Sequence, residues 1–272
     1  MVMKLIDVHA HMESSRFEED LDEVMDRAEK AGVKIILSSG VNPETNRKTL
    51  ELAKKYEIVK ASLGLYPIDS VADKFDNLAD DYLRKIPKFN VDEELEFIKE
   101  NKDNILAVGE IGLDFKVIKE LGNVAEIKIE QEKVFRKVLE LAKEIQKPVI
   151  IHSRGAEERC IEILKELKTG KVVMHCFNGR KSLIKEGIEA GFYFSVPPVI
   201  TRLNHFEMLV ELVPVEKLLT ETDAPYLSPV AGERNEPANV AVTIKRIAEI
   251  KGLSEEDVAE QIFKNAEDLF DL

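Results

Sequence analysis

The chain holds five histidines, and four of them close short apolar, β-branched runs. His9 and His11 form an H-x-H pair at the end of the run that starts at Leu5, His152 ends Pro-Val-Ile-Ile-His, and His175 ends Lys-Val-Val-Met-His. Two carboxylates occupy the same kind of place: Glu110 ends Ala-Val-Gly-Glu, and Asp223 closes Leu-Leu-Thr-Glu-Thr-Asp. On a strand, residues i and i+2 face the same way, so the imidazoles of His9 and His11 converge on one point. Asp7 lies on that face one step deeper, in position to orient a ligand. Four neutral imidazoles with two carboxylates suit two divalent ions, one carboxylate bridging them. Taken singly each residue says little, because a lone histidine is commonly a core or surface residue and a strand-end Glu can cap a helix. It is their joint placement at strand termini that points to a metal site. His205 lacks this context: it falls in the helical pattern Leu203–Val213 and reads as structural or exposed.

To bring these side chains together the chain needs elements that end at one place. Eight apolar runs recur along it: Leu5–His9, Val33–Ser38, Val59–Leu63, Ile105–Glu110, Val149–His152, Val172–His175, Phe192–Val196 and Leu218–Thr222. Helical patterns follow them, as at Glu18–Ala31, Pro43–Tyr56 and Arg180–Ala190. Over Ala125–Gln146 the residues Val134, Val138, Leu141 and Ile145 form one stripe. Strands alternating with helices imply parallel pairing, and eight such units imply closure into an α/β (β/α)₈ TIM barrel, whose strand C-termini meet at one mouth. A doubly wound open sheet is the competing architecture, but no glycine-rich phosphate fingerprint follows the first strand. Ser254–Leu272 reads as an extra C-terminal helix, with Ser254 and Asp257 as its N-terminal capping pair. The longest irregular stretch, Pro67–Asn90, reads as a lid or rim insertion. No linker, low-complexity tract or internal repeat beyond the βα unit is found, so residues 1–272 are expected to form one domain.

Composition bounds the rest. At 272 residues with 44% hydrophobic residues, the chain has enough apolar side chains for a full core. Cys160 and Cys176 belong to no CxxC and read as reduced, packed thiols. The N-terminal segment turns polar within a few residues, and no apolar run nears the roughly 20 residues that span a bilayer. A cytoplasmic protein with no membrane association and no obligate protein partner is therefore expected. The net charge of −13 repels a polyanion at long range and counts against nucleic-acid packaging, though not against holding a few nucleotides beside metal cations. Abundant Glu, Lys and Ile, little Gln and no Trp lean toward a thermophilic source.

The stretches IDVHAH (6–11), VGEIGLDF (108–115), the Gln131/Phe135 helix leading into KPVIIHSR (147–154), VVMHCFNG (172–179), LLTETDAPYLSP (218–229) and ERNEP (233–237) carry a resemblance. Together the chain resembles the TatD family of metal-dependent deoxyribonucleases, among the amidohydrolase-like metal barrels, over almost its whole length and in order. The resemblance implies that His9, His11 and Asp223 hold one metal, His152 and His175 a second, and that Glu110 bridges them. It also implies Glu221 as part of the catalytic group with Asp223 and Glu110, and Arg154, Arg234 and Asn178 as groups near the substrate. Arginine suits phosphate because its planar fork matches phosphate oxygens. The chain departs from the family pattern in two places. Where the family carries histidine in Gly-x-His-Pro, this chain has Gly64-Leu65-Tyr66-Pro67, which puts Tyr66 at a substrate-facing position. The rim loop Ser228–Arg234 is short, with Glu233 where relatives often carry a basic residue.

The chemistry expected from these residues is phosphodiester hydrolysis in single-stranded or short DNA, removing nucleotides from an end. In that reaction a hydroxide activated by two metals attacks phosphorus and Asp223 relays the proton. The ligand set leaves zinc, manganese and magnesium open. Two other readings stand beside it: a dinuclear hydrolase of ester or amide bonds, such as those of D-aminoacyl-tRNA or a lactone, and a metal-binding scaffold without activity.

Overall fold

A computed structural model describes residues 3–75, 78, 86–120 and 123–272. Eight strands form one parallel sheet in chain order: β1 (Leu5–Ala10), β2 (Val33–Ser39), β3 (Val59–Leu63), β4 (Ile105–Gly112), β5 (Val149–His152), β6 (Val172–Met174), β7 (Tyr193–Val196) and β8 (Leu218–Thr220). The ring closes where the chain after β8 runs beside β1. There Asp223 N–H donates to the His9 carbonyl at 2.9 Å and His11 N–H to that of Ala224 at 2.7 Å. Every residue of β1 is buried, and so is all of β4 except Leu106. Strands sandwiched between a filled barrel interior and a helical shell need apolar side chains on both faces, which is why these runs show no alternation.

Nine helices are described: α1 (Leu21–Ala31), α2 (Pro43–Lys55), α3 (Val91–Glu100), α4 (Val124–Glu144), α5 (Glu157–Glu166), α6 (Lys181–Glu189), α7 (Asn204–Leu212), α8 (Val240–Lys251) and α9 (Glu255–Phe270). Their ends follow local chemistry. In α2, Asn42 and Thr45 cap each other reciprocally and Pro43 opens the first turn. α1 stops at Gly32, whose φ of 98° lies in the left-handed region. Ser254 accepts from Asp257 N–H at 3.0 Å and donates to its carboxylate at 2.7 Å, which starts the expected extra helix α9. The stripe Val134, Val138, Leu141 and Ile145 of the α4 segment is buried against the barrel. Fully burying one such side chain contributes about 1.5–3 kcal/mol, far more than helix propensity alone.

Boundaries differ from the sequence reading in instructive ways. α1 begins at Leu21 rather than Glu18, because Ser15–Phe17 forms a 3₁₀ turn that buries Phe17. β8 stops at Thr220, two residues early. The Asp7 carboxylate takes the N–H and hydroxyl of Thr222, so a side chain replaces the ladder there. The expected rim insertion Pro67–Asn90 lies in part outside the described residues. Within them, Asp69–Val71 forms a 3₁₀ turn, and a small apolar cluster of Tyr66, Ile68, Val71, Ile118 and Ile127 sits apart from the main core. That cluster ties the segment after β3 to the segment between β4 and α4.

Candidate metal centre

All six expected ligands meet at the mouth of the barrel. His9 comes from β1 and His11 from the residue just past it, Glu110 from β4 and His152 from the end of β5, while His175 and Asp223 follow β6 and β8. Glu110 stands between two groups. Its Oε2 lies 3.6 Å from His9 Nε2 and 3.5 Å from His11 Nε2, while its Oε1 lies 2.7 Å from His152 Nδ1 and 3.9 Å from His175 Nε2. Asp223 Oδ1 completes the first group at 3.5 Å from His9 Nε2 and 3.4 Å from His11 Nε2. Ligand atoms about 2.1 Å from one tetrahedral ion stand roughly 3.4 Å apart, so the spacing of the first group suits a cation better than it suits hydrogen bonds. Among the described residues, His9–His11–Glu110, His9–His175–Asp223 and Glu110–His152–His175 each bring ligand atoms within 4.8 Å of one another.

The backbone permits this approach at two glycines. A Cβ on Gly112 would come 1.9 Å from the His152 carbonyl, and φ there is 143°. A Cβ on Gly64 would come 2.4 Å from the carbonyl of Glu110. Neither close approach admits a side chain.

Each imidazole is anchored by the nitrogen that faces away from the centre. His9 Nδ1 meets Ser39 Oγ at 3.1 Å, and His11 Nδ1 meets the Ser39 carbonyl at 2.9 Å. His152 Nε2 meets Asp114 Oδ2 at 3.0 Å, and His175 Nδ1 meets Glu221 Oε2 at 2.6 Å. Such partners fix the tautomer and aim the other lone pair inward. His9 Nε2 is buried with no hydrogen-bond partner. An orphaned imidazole nitrogen pointing at two carboxylates is costly in a bare cavity and is satisfied by a metal ion, so the residues present fit one.

The electrostatics agree. Burial works against a charged His9, yet the carboxylates of Asp223 and Glu110 outweigh it and raise its pKa to about 9. His152 is likewise opposed by burial and raised to about 10 by Asp114 and Glu110. Burial pushes Glu110 up, but the facing His152 and His9 hold it well below the usual carboxylate range. The centre favours positive charge, held as protons or as a cation.

The other expected residues fall into place less uniformly. Glu221 is buried and accepts from His175 Nδ1, from Ser195 Oγ at 2.7 Å and from Cys176 N–H at 2.9 Å, so it touches a ligand rather than the opening. Asp7 is turned away from the imidazoles and binds the backbone N–H of His9 and Thr222; burial raises its pKa to about 7. Tyr66 donates to Asp114 Oδ2 at 2.9 Å. Asn178 is exposed and donates to the Cys176 carbonyl at 3.0 Å. Arg154, half-buried just past β5, lies near enough for its charge to act on the Cys176 thiol, which burial pushes well up. Arg234 lays its fork on Asp20, with Nη1 at 2.7 Å, and covers the Phe17 ring. His205 sits at the start of α7 and meets the Phe177 carbonyl at 3.0 Å, a structural contact.

Sequence reasoning missed Ser39, Ser195 and the role of Asp114. Signals existed: Ser39 and Ser195 are polar residues on largely apolar strands, and Asp114 stands in the Gly-Leu-Asp-Phe segment just past β4.

A (β/α)₈ barrel that brings four imidazoles and two carboxylates together at its C-terminal mouth defines a metal-dependent hydrolase. Residues 6–271 match the model of the TatD-related DNase family. The chain belongs to that family. It is 36% identical over 267 residues to human deoxyribonuclease TATDN3, covering 98% of this chain and 94% of that protein. It is 31% identical over 277 residues to the 3'-5' ssDNA/RNA exonuclease TatD of Citrobacter koseri, covering 98% of each. The crystal structure of the TatD homologue YJJV from Escherichia coli superposes over 100% of both chains with a TM-score of 0.83 at 27% identity. No helix among the described residues is long and apolar enough to cross a membrane.

Proposed function

We propose that the protein is a nuclease holding two divalent ions and removing nucleotides from an end of single-stranded DNA. The observation that carries this is the position of Glu110, whose two oxygens face two separate sets of imidazoles. His9, His11 and Asp223 would hold one ion, and His152 and His175 the other, with Glu110 shared. Zinc, manganese and magnesium are the candidate ions, the imidazole-rich set favouring zinc or manganese. When bound, such ions supply Lewis acidity and lower the pKa of water from 15.7 toward about 7.

The chain's own residues do the rest. Asp223 is the more open of the two inner carboxylates, with 13% of its side chain exposed against 4% for Glu110, which supports it as the group that accepts a proton from water and passes it to the leaving oxygen. His9 and His11 flank that carboxylate from the barrel interior, at 3.5 and 3.4 Å. Arg154 and Asn178, past the ends of β5 and β6, are the groups proposed to meet the phosphate and its neighbour. Arg234 already has both terminal nitrogens on Asp20.

The names of the human and Citrobacter relatives support DNA as the substrate and an end-directed, single-strand mode. The test is release of mononucleotides from end-labelled single-stranded DNA by chelated protein and by protein given Mg²⁺, Mn²⁺ or Zn²⁺. Metal-restored release, lost in His9→Ala, is expected. Protein shown to bind two metals but releasing nothing would remove the nuclease reading and leave ester or amide substrates.

A further inference from the structure

We infer that Tyr66 is a positioning residue for the metal site: through Asp114 it sets the ring of His152, and so the affinity of only one of the two metal positions. The inference rests on the two-ion reading above.

His152 is the one ligand imidazole that offers Nδ1, rather than Nε2, to Glu110. Its orientation therefore depends on what grips Nε2, and that grip is Asp114 Oδ2 at 3.0 Å. The Tyr66 hydroxyl donates to the same oxygen at 2.9 Å. Two donors thus converge on one lone-pair-rich atom, and the Asp114 carboxylate turns only if both follow. Its other oxygen is spoken for by the N–H groups of Lys116 and Val117 at 3.0 and 3.1 Å. The Gln131 amide clasps the Asp114 backbone from both sides. Asp114 is wholly buried, so no water competes for these bonds.

Tyr66 also constrains the imidazole by contact. Its ring centroid lies 4.9 Å from that of His152, at 67° between planes, which blocks rotation of the imidazole toward β3. Tyr66 is itself fixed: its N–H donates to the Val41 carbonyl at 2.8 Å, and its ring belongs to the apolar cluster with Ile68, Val71, Ile118 and Ile127. The hydroxyl, Asp114 Oδ2 and His152 therefore form one chain running from that cluster to the centre. His9, His11 and Asp223 make no bond with any of its members. Tyr66 thus acts on the ligand shell through Asp114.

The test is calorimetric titration of chelated protein with Zn²⁺, on wild type, Tyr66→Phe, Asp114→Asn and the double variant. Loss of an outer partner of a ligating histidine lowers metal affinity about 10- to 100-fold. Tyr66→Phe should lose about tenfold at one position and nothing at the other. Asp114→Asn should lose at least as much at the same position. The double variant should match Asp114→Asn alone, because one residue acts through the other. The KM for single-stranded DNA in saturating metal should stay at the wild-type value. Unchanged metal affinities with a raised KM would show that Tyr66 meets substrate directly and would overturn the inference, as would additive losses or a wild type that binds fewer than two ions. Failure of the nuclease reading shows separately, as two-ion protein without nucleotide release, and leaves the titrations readable.

Discussion

Glu221 offers the sharpest perturbation of the centre because its three hydrogen bonds can be followed atom by atom. Oε2 accepts from His175 Nδ1 at 2.6 Å and Ser195 Oγ at 2.7 Å, and Oε1 accepts from Cys176 N–H at 2.9 Å. Glu221→Gln keeps the shape but turns one acceptor into a donor. If the amide nitrogen takes the Oε2 place, Ser195 can turn its hydroxyl to accept. His175 then has to carry its proton on Nε2, the nitrogen that faces Glu110, and that lone pair is lost to a metal. If the amide flips, Cys176 N–H faces a donor, and stranding a buried donor costs about 1–3 kcal/mol. Both arrangements weaken the position formed by His152, His175 and Glu110. Loss of an outer partner typically lowers metal affinity 10- to 100-fold, or about 1.4–2.7 kcal/mol. The assay is competition against a chromophoric zinc chelator, resolved into two binding steps, with far-UV circular dichroism to confirm the fold. One step should weaken within that range and the other hold. If both steps in Glu221→Gln stay within about twofold of wild type, the tautomer argument is refuted, since an outer-partner effect of the usual size would have been visible.

Two further outcomes are expected. Asp223→Asn removes the proposed proton acceptor while leaving the backbone bond from the residue 223 N–H to the His9 carbonyl. Mononucleotide release should fall about 10²- to 10⁴-fold with the circular-dichroism melting curve unmoved, and a fully active variant would end the assignment. Metal binding should also be strongly pH-dependent. In the metal-free centre the pKa of His9 is raised to about 9 and that of His152 to about 10, so at pH 7.5 both hold protons that a metal must expel. Apparent affinity should therefore keep rising with pH until it passes about 9–10, rather than levelling near the ordinary histidine value of about 6.5. Calorimetry in two buffers of different ionisation enthalpy measures the release, and the absence of proton release at pH 7.5 would contradict the charge balance described here.

How much of this could be read without coordinates depended on how each residue acts. The convergence of the six expected ligands was legible because their types are specific and their positions local: each closes or follows an apolar run, and barrel topology brings all such ends together. The fold was legible for the same reason, since β1, β5 and their counterparts are buried on both faces and so lack alternation. The outer partners were not legible. Ser39 serves His9 through its hydroxyl and His11 through its carbonyl, and a carbonyl leaves no mark in side-chain type. Asp114 lies 38 residues from His152, and only the packing of β4 against β5 joins them. Arg234 shows the converse limit. Its residue type suits phosphate, but its fork rests on Asp20, 214 residues away in the chain, a pairing that no local pattern announces.

The acidic balance of the chain and an anionic substrate are compatible because the two act over different distances. A net charge of −13 sets a repulsive field over the surface as a whole. At the mouth most carboxylates are already committed. Asp7 has a pKa of about 7 because it is buried, Asp114 is bonded to His152 and Tyr66, and Glu221 is bonded to His175, Ser195 and Cys176. Among the described residues Glu110 and Asp223 are the carboxylates that face the centre, and the two divalent ions proposed would carry more charge than these two can cancel. On the proposed reading, then, most of the attraction for a phosphate comes with the metal, adds to that of Arg154, and is confined to a few ångströms around the centre. Chelated protein offers a polyanion only Arg154 and the protonated imidazoles of the centre, within a negative surface. The metal-free arm of the nuclease assay therefore reports on binding as well as on chemistry: without the ions the protein should not cut single-stranded DNA and should hold it far more weakly.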